Sequence, residues 1–205
     1  MAAAAAIGGV GVVAMSAVAD DTTSGTQPVA KTLKQIPAVT EVPGAIAERF
    51  AVLQQPSSER YSRNGDAHAE SILASAGGNT GLARRTGEAS APATWLVPGD
   101  QEVCLVAEDI DKRYPGARAL TCDTLDRVDR NGLYLATGER AKADVRGIVP
   151  DGVDTVTVYF AKGATSQVPV VGNGYRFTTT TEPATRMSWT DTNGETTSVT
   201  LGLLP

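Results

Sequence analysis

Apolar and polar residues alternate along the second half of the chain, which predicts β-strands there. In Thr155–Phe160, the even positions are valine or phenylalanine and the odd positions are threonine or tyrosine. This period of two is typical of a strand with one buried face. Trp95–Val97 and Val103–Val106 flank Pro98–Gln101, a spacing that predicts a hairpin with a loop of about four residues.

The last hairpin is predicted in more detail from its apolar positions. Asn193-Gly194 is a strong turn signal, but a two-residue turn would set Met187 opposite a threonine. A three-residue loop, Thr192–Gly194, pairs Met187 with Val199 and keeps the apolar residues on one face. Because the buried face fixes the register, we expect the longer loop, with Gly194 in the left-handed region.

The segment before these strands has helical spacing instead. Ile46, Phe50 and Leu53 follow the i, i+4, i+7 rule and predict one amphipathic run that ends at Pro56. Further helices are expected from Asp66 to Ala76 before Gly77-Gly78, over Gly81–Arg85 after an Asn79 cap, and over Thr124–Arg130 before Asn131-Gly132.

Together these patterns predict an α+β fold: short N-terminal helices packed on an antiparallel β-sandwich or partial barrel with one disulfide. Prolines at positions 28, 37 and 43 and small polar residues predict a linker between the N-terminal segment and the helices. The expected organisation is a signal peptide or membrane anchor at 1–19, a flexible linker at 20–43, a helical arm at 44–92 and a β-rich domain at 93–205.

The N-terminal segment is typical of an exported protein. Ala2–Ala19 carries no charge and ends in Ala17-Val18-Ala19, small residues that suit signal-peptidase cleavage between Ala19 and Asp20. A basic n-region is missing. An uncleaved single-span anchor is the alternative, because the 18 uncharged residues of Ala2–Ala19 just reach the length needed to cross the hydrocarbon core. Gly9–Ala14 matches a dinucleotide-binding fingerprint, but the preceding strand and the spaced acidic residue that this motif requires are absent. We expect a secreted protein or one attached to the outer face of the membrane.

Export determines how the two cysteines are interpreted. Cys104 and Cys122 predict one disulfide, which would stabilise the fold by about 3 kcal/mol. Two free thiols and a metal pair are the alternatives. Zinc requires three or four ligands, and the chain offers two cysteines and one histidine, so no metal or cofactor is expected.

The charge of the chain disfavours nucleic acid as a partner. The net charge is −5, and Arg84-Arg85, predicted to lie late in a helix, is the one basic cluster. Membrane contact is expected only through the N-terminal segment, and an extracellular or cell-wall polymer or protein is the possible partner.

Candidate catalytic groups are few. His68 is the only histidine, it lies among small polar residues, and no Gly-x-Ser-x-Gly motif is present. Glu108, Asp109 and Asp111 form the densest acidic group and could hold calcium or cleave a glycosidic bond, although Lys112 and Arg113 follow and favour a solvated loop.

Two further motifs have a structural and a functional interpretation. Asp191–Gly194 resembles the start of a calcium loop, but Gly202 stands where the twelfth-position Glu is required, so a turn is favoured. Tyr134, Tyr159 and Tyr175 with Arg176 could face a ligand, although β propensity alone also explains aromatic residues in a sheet.

The order of several short motifs resembles uncharacterised exported proteins of high-GC actinobacteria. The similarity covers about residues 44–190, and it implies an envelope or secreted location but no catalytic residue. It is carried by Leu82–Arg85, Trp95–Gly99, Val103–Val106, Val145–Val153 and Val168–Val171.

The leading functional hypothesis is an exported, non-catalytic envelope or extracellular protein that binds or displays a ligand. One alternative is an extracellular hydrolase that uses Asp109 and Asp111. Another is a peptidase inhibitor that presents the Pro98–Asp100 turn. Enzymatic activity is left undecided, with the scarcity of catalytic groups favouring a binding protein.

Overall fold

The computed structural model describes residues 40–56, 59–61, 67–108, 110, 117–139 and 142–202. The predicted cleavage site at Ala19 and Asp20 and most of the predicted linker lie outside these residues. Within the described part, no helix is long and apolar enough to cross a membrane.

The predicted N-terminal helical run is confirmed only in part, because the chain forms two short turns that the non-helical Phe50 separates. Helix α1 (Gly44–Ala47) begins after Pro43 and is followed by a 3-10 helix over Ala51–Gln54. Ile46, Phe50 and Leu53 are all buried, as their spacing predicted. Helices this short are marginally stable alone. Here the buried side chains of both turns pack against the strands in one apolar cluster.

Helix α2 (Ala67–Ser75) also occurs where it was predicted. Two residues after the helix end, Gly77 has a φ of 66° in the left-handed region, and the Gly78 N–H donates to the Leu73 carbonyl at 2.8 Å. This arrangement satisfies a carbonyl that the helix end leaves without an intrahelical partner.

The prediction of a third helix is wrong at Arg84 and Arg85, which lie in a strand. The Asn79 side chain does cap a short 3-10 helix, but that helix stops at Leu82. Strand β1 (Arg84–Thr86) follows at once and pairs with the next strand. Arg84 donates to the Gln55 carbonyl at 2.7 Å, a contact between distant parts of the chain that the local pattern does not reveal.

Antiparallel strands form most of the regular secondary structure in the described part of the chain. The remaining elements are β2 (Thr94–Pro98), β3 (Glu102–Glu108), β4 (Arg118–Thr124), α3 (Leu125–Asn131), β5 (Leu133–Glu139), β6 (Lys142–Ile148), β7 (Thr155–Phe160), β8 (Thr165–Pro169), β9 (Gly174–Thr178), β10 (Ala184–Thr190) and β11 (Thr196–Thr200).

Three sheets are seen in the described part of the chain. Sheet A has the order β1-β2-β3-β4, sheet B the order β5-β6-β9 and sheet C the order β11-β10-β7-β8. All of their strand pairs are antiparallel.

Three apolar clusters hold the layers together. Leu96, Leu105, Leu135 and Ile148 belong to a cluster shared by sheets A and B, which therefore pack face to face. A second cluster joins the other face of sheet B to sheet C, and a third joins the other face of sheet A to α2. Sheet B is thus covered on both sides, with sheet A and the helix stacked beyond it.

The predicted details of the hairpins and of α3 are largely confirmed. Met187 pairs with Val199, and the Asp191 N–H donates to the Glu195 carbonyl, which leaves a three-residue loop. Gly194 has a φ of 81°, in the left-handed region. Helix α3 follows Thr124 as expected, but the threonine side chain makes no capping bond.

Cys104 and Cys122 form a disulfide, as the sequence predicted. They are direct cross-strand neighbours on β3 and β4. Cys104 is fully buried in the cluster between sheet A and α2. The bridge therefore fixes the two strands on which α2 packs.

Candidate functional site

The carboxylates proposed from the sequence are only partly described. Asp109 and Asp111 lie outside the described residues, and so does the side chain of His68. Glu108 ends β3, and its Oε1 accepts a hydrogen bond from Nη2 of the buried Arg118 at 2.8 Å. Among the described residues, no three His, Cys, Asp or Glu side chains come together as metal ligands would.

The Asp191 loop has the geometry of a turn. The Asp191 carboxylate accepts the backbone N–H groups of Asn193 at 2.9 Å and of Glu195 at 2.8 Å. These hydrogen bonds, chiefly the one from Glu195, hold the pKa of Asp191 below its usual value. The carboxylate of Asp191 is thus used in hydrogen bonds within its own loop, as in an Asx turn.

The Pro98–Asp100 turn packs on the end of α2. The Pro98 carbonyl accepts the Asn79 N–H at 3.0 Å, and the Asp100 N–H donates to the Ala76 carbonyl at 3.3 Å. Both Pro98 and Gly99 are buried, so only the tip at Asp100 and Gln101 reaches solvent.

The three candidate tyrosines have different surroundings. Tyr175 is buried, and its hydroxyl donates to Met187 Sδ at 3.1 Å. Tyr134 packs partly buried against the cluster between sheets B and C. Tyr159 lies on the opposite, outer face of sheet C, where its hydroxyl lies 3.2 Å from the Ser188 hydroxyl.

The outer face of sheet C carries polar side chains in rows across the four strands. We call this surface the hydroxyl face. Its positions alternate with the buried apolar residues of the same strands and are mostly hydroxyl-bearing. The first row across the four strands is Thr165, Tyr159, Arg186 and Thr200. The second row is Gln167, Thr157, Ser188 and Ser198. Two cross-strand pairs, Pro169 with Thr155 and Thr190 with Thr196, extend the hydroxyl face beyond the second row.

Side chains of the hydroxyl face are ordered by contacts with each other. The guanidinium of Arg186 lies 3.7 Å from the centre of the Tyr159 ring, a cation–π geometry. Arg186 Nη1 also donates to the Ser198 hydroxyl at 3.3 Å, and the Thr190 and Thr196 hydroxyls lie 3.0 Å apart. None of the positions in these rows bears a carboxylate, and Arg186 supplies the charge.

A second polar feature is a cleft of about 300 Å³ between the open edges of sheets A and B. Its walls come from the end of β1 and the segment before β2 on one side, and from β9 with Pro169 and Val171 on the other. Arg176 lies in this wall with 34% of its side chain exposed. The volume is at the lower end of the roughly 300–1,000 Å³ typical of ligand pockets.

The guanidinium of Arg176 is oriented by Asp144. Arg176 Nε and Nη2 donate to the two oxygens of Asp144 at 2.8 and 3.2 Å. Arg146, its cross-strand neighbour, is almost fully buried and also pairs with Asp144 at 2.9 Å. One carboxylate therefore serves two guanidinium groups, and the cluster keeps a net positive charge.

Sequence reasoning found some of these residues and missed others. Tyr159 and Arg176 were candidates, and each lies on one of the two polar surfaces. Arg186, Asp144 and Arg146 were missed. The alternation of threonine along β7 was the available signal for the hydroxyl face, but the pairing of four strands into one surface is not visible in a local pattern.

Comparisons with models of known families, with curated proteins and with solved structures find no match for this chain.

Proposed function

We propose that this protein is an exported, non-catalytic module that binds an extracellular polysaccharide through the hydroxyl face of sheet C. The observation that carries the proposal is the arrangement of hydroxyl, amide and guanidinium groups in rows on a sheet surface without carboxylates. The disulfide supports export, since such bonds persist in oxidising compartments.

The chemistry of the face suits sugars. A polysaccharide presents hydroxyl groups that both donate and accept, and Ser, Thr and Tyr side chains do the same. Neighbouring strands lie about 4.8 Å apart, so the rows offer partners at regular intervals along an extended polymer. The Arg186–Tyr159 pair adds a planar group against which a sugar ring can pack.

The layered packing supports a β-sandwich rather than a partial barrel. Each sheet has two open ends in its strand order, and the apolar clusters lie between sheet faces. Among the described residues no layer covers the outer face of sheet C, and every position of its rows except Ser188 is at least part-exposed, while the inner face holds the core. Cell-wall glycan is the polymer that an envelope location favours.

Co-sedimentation of the full chain with insoluble polysaccharides tests the proposal. The probes are isolated bacterial cell walls, chitin and cellulose. We expect the parent protein to pellet with at least one of them and Arg186→Ala to bind about tenfold more weakly, equivalent to about 1.4 kcal/mol. Tyr159→Leu, which removes both ring and hydroxyl, should weaken binding similarly.

Arg127→Ala is the matched control, because this exposed arginine on α3 lies outside the hydroxyl face. It should bind as the parent does. Absence of pelleting above that of an unrelated acidic protein would reject the proposal. Equal binding by the parent and Arg186→Ala would reject the assignment of the hydroxyl face.

A further inference from the structure

In the part of the chain that the structure describes, the outer edge of β9 is unpaired from Arg176 to Thr178. The Thr179 N–H donates to the Ala143 carbonyl of β6 at 2.8 Å, so the main chain at odd positions faces β6. In an antiparallel pair the hydrogen-bonding direction alternates, and the main-chain groups of Arg176 and Thr178 therefore face away from β6. Among the described residues, no strand pairs with this part of the edge.

Within the described residues, the chain closes this edge only at its Gly174 end. The Gly174 N–H and carbonyl bond to Val171 at 3.0 and 2.8 Å, and the Gly87 N–H donates to the Val171 carbonyl at 2.8 Å. Beyond Gly174 the two walls separate and form the cleft. The outward main-chain N–H and C=O groups of Arg176 and Thr178 thus lie along the cleft, which begins at the Val171–Gly174 turn.

The side chain of Arg176 gives this cleft a preference for negatively charged ligands. Asp144 binds its Nε and Nη2, whereas Nη1 has no partner among the described residues. Because the one Asp144 carboxylate serves both guanidinium groups, a net positive charge remains on the cluster of Arg176, Arg146 and Asp144. Glu88 lines the cleft as well, but it is exposed and makes no ion pair with Arg176 among the described contacts.

We propose that a separate peptide adds as a strand to the open edge of β9 and places a carboxylate on Arg176. Main-chain hydrogen bonds to Arg176 and Thr178 would supply affinity, and the charge-assisted bond to Nη1 would supply selectivity for acidic peptides. This site is distinct from the hydroxyl face and does not depend on the polysaccharide proposal.

Charge does not favour the preceding linker as the occupant. From Asp20 to Val39, two aspartates, Asp20 and Asp21, are balanced by Lys31 and Lys34, so this segment has no net negative charge to attract Arg176. A second copy pairing β9 with β9 would bring two Arg176 side chains together, and like charges on adjacent strands are destabilising. An acidic peptide from another molecule can pair with the main-chain groups of the β9 edge and can also place a carboxylate on Arg176.

Binding of matched synthetic peptides to the full chain tests this inference. The probes are the blocked peptides Thr-Val-Glu-Val-Thr, the same peptide with Gln at the centre, and the same peptide with Lys. We expect the Glu peptide to bind with a Kd below about 1 mM and about tenfold more tightly than the Gln peptide. The Lys peptide should bind most weakly.

Two variants separate the charge from the strand edge. Arg176→Gln should remove the preference for Glu while leaving residual binding of all three peptides. Thr178→Pro removes an outward N–H without touching the β6–β9 hydrogen bonds, so it should weaken every peptide about equally. Arg127→Gln, an exposed position on α3 outside the cleft, is the control and should leave peptide binding unchanged.

Amide exchange of Arg176 and Thr178 in the free protein identifies other occupants. Fast exchange is expected, with protection only when the Glu peptide is present. Protection in the free chain that is independent of protein concentration would show that the chain covers its own edge. Concentration-dependent protection would show a second copy. Either result, or equal binding of the Glu and Gln peptides, would overturn the proposal.

Discussion

The ring of Tyr175 occupies the space in which a Cβ on Gly147 would lie. The two residues are cross-strand neighbours on β9 and β6. A Cβ on Gly147 would overlap the Cζ and Oη atoms of the tyrosine. The glycine therefore allows the ring to lie flat over sheet B and to reach Met187 of sheet C.

Replacing Gly147 by alanine should destabilise the protein by about 1–3 kcal/mol, the usual cost of overpacking a filled core. The Tyr175 ring would have to leave its position and break the bond to Met187. Urea unfolding followed by circular dichroism measures the change. Gly44→Ala is the matched control, since nothing lies within 4 Å of a Cβ there. Equal effects of the two substitutions would contradict this account.

The same tyrosine should make stability depend on alkaline pH. Burial, with a smaller contribution from Tyr134, raises the pKa of Tyr175 above its usual value. The unfolded chain loses this proton near pH 10 whereas the folded protein keeps it, so stability present below about pH 10 is lost as pH rises further.

Tyr175→Phe isolates this contribution. The stability advantage of the parent over the variant should be constant between pH 7 and 8, where neither state ionises the phenol. Above about pH 10 the advantage should shrink by up to about 1.4 kcal/mol per pH unit. Urea unfolding of both proteins at pH 8 and pH 11 makes the comparison, and a constant difference across that range would show that the hydroxyl ionises equally in both states.

The disulfide should contribute about 3 kcal/mol to the free energy of unfolding. Since Cys104 and Cys122 are the only cysteines, reductant acts on the folded protein through this bond alone. The double variant Cys104→Ala/Cys122→Ala should therefore be destabilised about as much as the reduced parent. Adding reductant to the double variant should change nothing, and any large effect there would point to another cause.

Local pattern predicted the elements that a short stretch of sequence specifies. The loop at Asn193 follows from the two-residue period and from the turn preference of Asn-Gly, so its register was predicted correctly. The buried positions Ile46, Phe50 and Leu53 follow from helical spacing in the same way.

Contacts between distant segments set what the local pattern did not reveal. Arg84 and Arg85 lie in a strand because they pair with β2, and the Gln55 carbonyl, 29 positions away, accepts the Nε–H of Arg84. The rows of the hydroxyl face likewise depend on the order of four strands. An alternating threonine pattern predicts an exposed face but not its neighbours.

Asp144 neutralises the buried guanidinium of Arg146, so its removal should destabilise the protein. The side chain of Arg146 is only 3% exposed, and it bonds to the Glu108 carbonyl at 2.6 Å as well as to Asp144. Removing one partner of a buried ion pair leaves an uncompensated charge, so Asp144→Ala should cost about 3–5 kcal/mol.

The cost should depend on Arg146. In an Arg146→Met background the buried charge is absent, and Asp144 then serves only the part-exposed Arg176, so Asp144→Ala should cost about 0.5–3 kcal/mol less than in the parent. Asp154→Ala is the control, because this exposed carboxylate has no ion pair among the described contacts, and it should change stability by less than about 0.5 kcal/mol. Additive effects of the Asp144 and Arg146 substitutions would mean that Asp144 stabilises the protein through Arg176 and the strand, not through the buried guanidinium.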